Sequence, residues 1–293
     1  MKKLRGPLSS LGGALAVVLS PQRGLWLDVE SALALACVCS AARQALRAWL
    51  KAAVLDISLG TEALPVPVRL PPSKSFYAKL RAAVELLAFT YLTGVRLPGG
   101  AMYLLSKHQR SDERCQRVLR GRQVEVVVVA CKGKGWGVLV AQRIERGEYV
   151  GEYTGELVST REMRRRYRER YDQRAINYVL SLREHVARQE GASALGFDVV
   201  RTNVDASSSG SLTRFFNHSC APSLDVAAVR VDSFVPRLAF FTRERINAGD
   251  ELTFDYGGGS SSSCRSSTSK AGGHPCHCGA LECRGYLPSD VSE

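Results

Sequence analysis

The sequence predicts a mostly β domain with one inserted helix, preceded by an α-helical region, and three observations carry that prediction. Two segments near the N-terminus repeat apolar residues at helical spacing. From about Gln116 the texture changes to short β-rich runs separated by glycine or polar breaks. The chain then closes on a Gly/Ser stretch followed by clustered cysteines. With 293 residues and 45% hydrophobic content it can bury one large core or two modest ones, which excludes a disordered chain.

In the helical region, Asp28 is a candidate N-cap for a segment in which Val29, Leu33, Val38, Ala42, Leu46, Trp49, Leu50 and Ala53 return to one side. Cys37 and Cys39 lie two apart in that helix, on different faces, and read as small core residues rather than ligands. Pro65, Pro67, Pro71 and Pro72 mark a linker. A second helix starts after Ser73 with Phe76, Leu80, Ala83, Val84 and Leu87 inward. Seven strands are expected at Val124–Ala130, Gly137–Ala141, Tyr149–Tyr153, Ile176–Leu182, Val199–Val204, Leu224–Val231 and Leu238–Phe241. The Arg- and Glu-rich run Thr160–Tyr171 is helical by propensity. Residues 257–275, dominated by Gly and Ser, read as a flexible connection.

The formal charge of +12 is uneven: residues 1–110 carry 14 Lys/Arg against 5 Asp/Glu, and 111–293 carry 26 against 23. A basic N-terminal flank suits non-specific contact with DNA, and equally a plain solvated surface. Lys2, Lys3 and Arg5 precede the apolar run Ala14–Leu19 with no acidic residue before Asp28, the pattern of a signal or transit peptide. Against secretion, the run is short and no small-x-small cleavage site follows it. The longest apolar stretch, Ser31 to Ala42, is too short to span a membrane and is closed by Arg43. Nine cysteines is an odd count, and Cys264, Cys276, Cys278 and Cys283 crowd the end of the chain, which points to metal more than to disulfides and to a reducing compartment.

Three motifs carry chemistry. Arg214-Phe215-Phe216-Asn217-His218-Ser219-Cys220 is followed by Glu251-Leu252-Thr253-Phe254-Asp255-Tyr256 and then by Cys276-x-Cys278-x4-Cys283. A lone Asn-His pair usually caps a turn and a lone Cys-x-Cys is often chance. In this order, with the glycine loop Lys132–Val138 and the run Gly147–Glu156 upstream, they resemble a SET-domain protein lysine methyltransferase with a post-SET zinc segment. The resemblance implies a fold of small sheets of the β-clip type, in which the segment 205–224 threads beneath the strand ending at Tyr256. It covers roughly residues 115–290. Tyr178, Arg183-Glu184-His185-Val186 and the run Val229–Pro236 are especially similar to one subgroup, the methyltransferase half of SET–mariner transposase fusions.

Carried over residue by residue, the resemblance implies that Tyr256, Tyr153, Tyr178 and Phe254 line the substrate-lysine channel, with the Tyr256 hydroxyl at the point of methyl transfer. A phenylalanine at 254 lacks the hydroxyl that would hold a blocking water, which implies di- or trimethylation. S-Adenosyl-L-methionine would be met by Lys134, Gly135, Trp136, Gly137, Tyr178, Arg214, Phe215, Asn217, His218 and Tyr256. A structural zinc would be held by Cys220, Cys276, Cys278 and Cys283, with Cys264 and His274 as competing ligands.

The implied organisation is a basic, mainly helical region at 1–110 of unknown role, a pre-SET-like remnant at 111–130, a SET domain at 131–257, a linker at 258–275 and a post-SET zinc segment at 276–290. The implied substrate is a histone tail or nucleosome, in the nucleus and on the chromosome, with no membrane partner. Two other readings stay open: a methyltransferase for non-histone proteins, organellar if residues 1–25 are a presequence, and a catalytically weak histone-tail-binding scaffold. The chain departs from the pattern at Ser211 and Ser223, where asparagine is usual, so local hydrogen bonding there is in question. Upstream, only Cys115-Gln116-Arg117-Val118 resembles the last ligand of the subgroup's pre-SET zinc cluster, which cannot form from so few cysteines. Either the helical N-terminal region supports the domain in its place or the gene model is incomplete.

Overall fold

The computed structural model describes residues 28–38, 40–58, 60–94, 113–171, 177–187, 197–231, 233, 235–257 and 274–288. Asp28 caps the first helix as expected, its Oδ1 accepting the Ser31 N–H at 2.7 Å. The single helix expected there is two, α1 (Val29–Val38) and α2 (Ser40–Leu55), with the Arg43 side chain donating back to the Ala36 carbonyl at 3.1 Å. Packing explains the break: Ala32 and Ala36 of α1 and Ala42, Leu46, Trp49 and Ala53 of α2 all bury against Leu80, Ala83 and Val84 of α3 (Phe76–Leu86). A straight rod could not lay both halves on the same short helix. Cys37 is exposed, contrary to its expected core placement, because it follows the buried Ala36 by about 100° of helical rotation. Cys39 lies outside the described residues. Ser75 caps α3 by accepting from the Ala78 N–H.

All seven expected strands form, within a few residues of their expected ends. Strand β1 (Val68–Arg69) runs parallel to β3 (Val126–Cys131), which pairs antiparallel with β4 (Gly135–Val140). A second sheet orders β11 (Leu224–Val229), β12 (Arg237–Thr242) and β5 (Tyr149–Glu152). A third orders β6 (Glu156–Val158), β8 (Phe197–Asp205) and β7 (Val179–Ala187). Two parallel pairs complete the set: β2 (Thr90–Tyr91) with β9 (Ser209–Gly210), and β10 (Asn217–His218) with β13 (Thr253–Phe254). These two-residue strands carry no periodicity that a sequence could display.

Val126, Val128, Val138, Leu212, Phe216, Leu224, Leu238, Phe240 and Leu252 form one core, joined by Ile57, Val66, Val68 and Leu86 from the N-terminal region. Each such aliphatic or aromatic side chain contributes about 1.5–3 kcal/mol on burial. The inserted helix α5 (Thr160–Arg166) is capped by Ser159 and runs into a π-turn at Tyr167–Tyr171. Arg166 and Tyr171 both reach the buried Asp205 carboxylate, at 2.7 and 2.9 Å, tying this insert to β8. Helix α4 (Glu113–Arg120) packs Cys115 and Val118 on Tyr149, Val229, Ala239 and Phe241. Cys115 there donates to the Arg230 carbonyl at 3.1 Å and stands among apolar side chains, not thiols. Among the described residues no helix is long and apolar enough to cross a membrane. Residues 258–273, including Cys264 and most of the expected linker, lie outside the described set, as do residues 1–27 with the expected presequence.

Candidate functional site

The site is assembled where β10 and β13 lie side by side, with Asn217 opposite Thr253 and His218 opposite Phe254. This pairing unites two motifs that stand 34 residues apart in the chain, as the expected crossing requires. The Ser219 N–H extends the pairing by donating to the Phe254 carbonyl at 3.1 Å. Both departures from the pattern are accommodated by their hydroxyls. Ser211 Oγ donates to the Glu152 carbonyl at 2.8 Å and caps the 3-10 turn Leu212–Phe215. Ser223 Oγ accepts the Thr253 N–H at 3.0 Å.

Of the four residues expected in the channel, Tyr153 and Phe254 are buried at 5% exposure each, Tyr178 is half-buried, and Tyr256 keeps 37% of its surface exposed. An aromatic chain links them. Ring centroids of Phe254 and Tyr256 are 4.8 Å apart, those of Phe240 and Phe254 5.0 Å, and those of Tyr153 and Phe240 6.3 Å. The Tyr153 hydroxyl donates to the Tyr178 carbonyl at 2.8 Å, and the Tyr256 hydroxyl donates to the Phe216 carbonyl at 3.0 Å. Burial first, then neighbouring phenols, raises both hydroxyls above the ordinary phenol range, so both stay neutral donors at neutral pH.

Around the glycine loop the expected cofactor residues make close contact with one another. Asn217 Nδ2 donates to the Trp136 carbonyl at 3.0 Å and to Glu251 Oε1 at 2.8 Å, while Lys134 Nζ pairs with Glu251 Oε2. A Cβ at Gly137 would fall 2.6–2.9 Å from Cys131 Sγ, Glu251 Oε1 and Asn217 Nδ2, so only glycine permits this approach. Gly135, at φ +76°, has open space where a Cβ would sit. Arg214 and Phe215 stand elsewhere, packed with Tyr178 on the side of β9; the Arg214 guanidinium carbon is 4.4 Å from the Tyr178 ring centroid. A separate cleft of about 610 Å3 lined by Arg114, Arg117, Arg146 and Arg243 touches Phe254 and Asp255 but none of the three tyrosines.

The Sγ atoms of Cys220, Cys276, Cys278 and Cys283 lie within 4.8 Å of one another, the one four-residue cluster of metal-ligating type found among the described residues. Zn–S bonds of about 2.3 Å in a tetrahedron need sulfurs about 3.8 Å apart, and Cys220 to Cys276 is 3.9 Å, so this donor set fits zinc. His274 is not in the cluster; its carbonyl accepts the Leu287 N–H instead. His218 connects the cluster to the channel. Its Nδ1 accepts the Tyr256 N–H at 3.2 Å, and its Nε2 lies 3.4 Å from Cys220 Sγ and 3.3 Å from Arg284 Nη2. Burial lowers the His218 pKa and so keeps the ring neutral.

Three functional neighbours were missed by the sequence reading although each lies inside or beside a quoted motif. Glu251 ties Lys134 to Asn217. Asp255 accepts from Arg284 at 2.8 Å, and the Arg284 backbone N–H lies 3.3 Å from Cys220 Sγ, so these two clamp the tail. Their signal was charge: an acid between two aromatics, and an arginine directly after the last cysteine.

Residues 135–257 match the family model for the SET domain. The chain is 36% identical over 188 residues to histone-lysine N-methyltransferase SETMAR of Bos taurus, covering 62% of this chain and 58% of that one. It is 35% identical over 206 residues to histone-lysine N-methyltransferase SUV39H2 of Mus musculus, covering 65% and 39%. The chain thus spans less than two thirds of the curated relatives it matches. Among solved structures, the methyltransferase domain of human histone-lysine N-methyltransferase SETMAR superposes with a TM-score of 0.60 at 25% identity, covering 80% of this chain and 97% of that one. KRYPTONITE in complex with mCHG DNA and SAH gives 0.54 at 20% identity, covering 80% and 53%. Residues 135–257 of this chain thus match the SET domain in sequence and in fold.

Proposed function

We propose that the chain is an S-adenosyl-L-methionine-dependent protein-lysine N-methyltransferase acting on histone lysine. The observation that carries this reading is the convergence of Tyr153, Tyr178, Phe254 and Tyr256 with the Asn217–His218 pair, on two segments joined by parallel pairing. Relatives named as histone-lysine methyltransferases and a fold neighbour solved with an H3(1-15) peptide and SAH support the substrate class. S-Adenosyl-L-methionine bound at this site supplies a sulfonium methyl to the lysine amine. The open backbone at Gly135, the half-buried Trp136 and the Oδ1 acceptor of Asn217 fit such a ligand.

The work of this chain's own residues is then positioning and desolvation. A channel walled by buried aromatics disfavours the ammonium form of an incoming lysine and so delivers the neutral nucleophile. The Tyr256 hydroxyl, neutral and anchored beside Phe216, orients the amine, and the narrow wall formed by Phe254 aligns it. Phe254 brings no hydroxyl to retain a water beside the amine, which favours di- or trimethylation.

The four cysteines would hold one structural zinc with no open position, docking the tail at His218 and the channel. The finer assignments follow from the same reading: action on the chromosome in the nucleus, and non-specific DNA contact through the basic N-terminal residues. A labelled-methyl assay on nucleosomes, free histones and lysate, read by mass spectrometry, tests the activity and the substrate together. Methyl transfer to histone lysine supports it, and transfer only to other proteins overturns the histone assignment. Localisation of a tagged full-length protein outside the nucleus would overturn the chromosomal one.

A further inference from the structure

Phe89, at the end of the N-terminal region, stacks on the same guanidinium that covers Tyr178. The Arg214 guanidinium carbon lies 4.2 Å from the Phe89 ring centroid, 4.4 Å from that of Tyr178 and 5.1 Å from that of Phe215. Phe89 also meets Phe215 edge-on, with centroids 5.5 Å apart. The guanidinium is fixed in its own plane by donation from Nε to the Ala206 carbonyl at 3.0 Å and from Nη2 to the Ser207 carbonyl at 3.2 Å. On the other side, the Tyr178 carbonyl accepts from the Tyr153 hydroxyl and from the Ala206 N–H, at 2.8 and 3.0 Å. One continuous stack therefore runs from the N-terminal region to two residues of the channel.

The strap that carries Phe89 is itself built into the domain. The Thr90 N–H donates to the Ser208 carbonyl at 2.9 Å and the Leu92 N–H to the Gly210 carbonyl at 2.7 Å, while the Leu92 carbonyl accepts from Thr154 Oγ1 at 3.0 Å. The Tyr91 hydroxyl accepts the Leu212 N–H at 3.3 Å and pairs with Glu62, which is held by Arg122 at 2.8 Å. A strap held at so many points has little freedom to shift. What it presents to Arg214 is an aromatic face, whose quadrupole attracts the cation.

We propose that Phe89 is a positioning residue: it holds Arg214 against Tyr178 and so sets where Tyr178 lines the lysine channel. The inference rests on the methyltransferase reading given above for the role of Tyr178. A leucine at 89 would keep apolar volume and remove the π face, whereas tyrosine would keep the face.

The test uses the full chain with Phe89→Leu, Phe89→Tyr and, as a control for general loosening of the N-terminal region, Leu80→Ala in α3. Phe89→Leu should lower kcat about tenfold or more at saturating substrate, the effect of slight misplacement, with KM for S-adenosyl-L-methionine within about twofold. Phe89→Tyr should restore kcat, and Leu80→Ala should leave it unchanged at matched folded fraction. Unchanged kcat in Phe89→Leu, or equal losses in Phe89→Leu and Leu80→Ala, would overturn the proposal. An NMR reading needs no activity: the Arg214 Nε–H resonance, identified by its loss in Arg214→Lys, should be ring-shifted in the unmodified protein and move toward free arginine in Phe89→Leu. A protein that methylates no substrate would sink the methyltransferase reading alone, while an unmoved resonance would sink the stack alone. Should Phe89→Leu not fold, Phe89→Met replaces it under the same criteria.

Discussion

The β-rich core and the cysteine tail are held together by opposite means. The core strands are held by apolar burial: Leu238, Ala239 and Phe240 of β12 are each 0% exposed. The described tail, residues 274–288, has no buried residue at all. Its order rests on a few backbone bonds, such as Cys276 N–H to the Gly285 carbonyl at 2.9 Å, and on three sulfurs gathered with that of Cys220. A segment that buries so little surface cannot offset its ordering entropy by the hydrophobic effect. Metal ligation can supply what burial does not. Under the proposed function, the site would have one wall made by packing and one made by coordination.

The largest break in that comparison should come from removing the metal. Cys220→Ser, or chelation of the purified protein, is expected to abolish zinc, about one per chain before treatment, and to carry cofactor affinity and activity down with it. Thermal unfolding of the β core should change little, since its strands are packed without the tail. Metal analysis and melting of the same sample check both halves; full metal retention in Cys220→Ser would remove that residue from the ligand set.

Removing one hydroxyl while packing and coordination stay in place should cost less. Tyr256→Phe removes a single hydroxyl and is expected to cut kcat by roughly 10²-fold, equivalent to about 2.7 kcal/mol of transition-state stabilisation. The melting temperature and zinc content should hold. Near-normal turnover would sink the assignment of this residue.

A pH effect should sharpen the contrast from the core side. Burial pushes the Glu152 carboxyl up to about 7 from 4.5, only partly opposed by Arg237 at 3.8 Å. The folded protein therefore keeps this proton over a range in which the unfolded chain has lost it. Stability contributed below the unfolded value is lost as pH rises through 7, on the order of 3 kcal/mol in all. Urea unfolding at about pH 5 and about pH 8 should show this loss, and Glu152→Gln should flatten it. A slope unaltered by the substitution would place its origin elsewhere.

The smallest expected effect is a redistribution rather than a loss. Phe254→Tyr adds a hydroxyl beside Tyr256, able to retain a water where a methyl would otherwise sit. Product peptides should shift toward monomethyl-lysine in mass spectra at similar total turnover. An unchanged distribution would count against Phe254 as the residue setting methylation degree.

The sequence by itself determined seven of the strands, the inserted helix, the capping of the first helix by Asp28 and the three motifs. These depend on local alternation, propensity and spacing, which a linear reading can see. Asn217, His218, Phe254 and Tyr256 were legible because they stand in short, ordered motifs. Tertiary structure alone decided the rest. The break between α1 and α2 follows from both halves packing on α3, which no local pattern records. The exposure of Cys37 follows from which stripe of α1 that packing selects. The two-residue strands β2, β9, β10 and β13 exist only because distant backbone meets, so Thr90 and Ser209, or Asn217 and Thr253, become partners through folding. Arg214 was legible as a motif residue, yet what it touches was not: its aromatic partner Phe89 lies 125 residues earlier, in a region without a motif. Chain order encodes which chemical groups are available, and only burial of the shared core brings them within a few ångströms of one another.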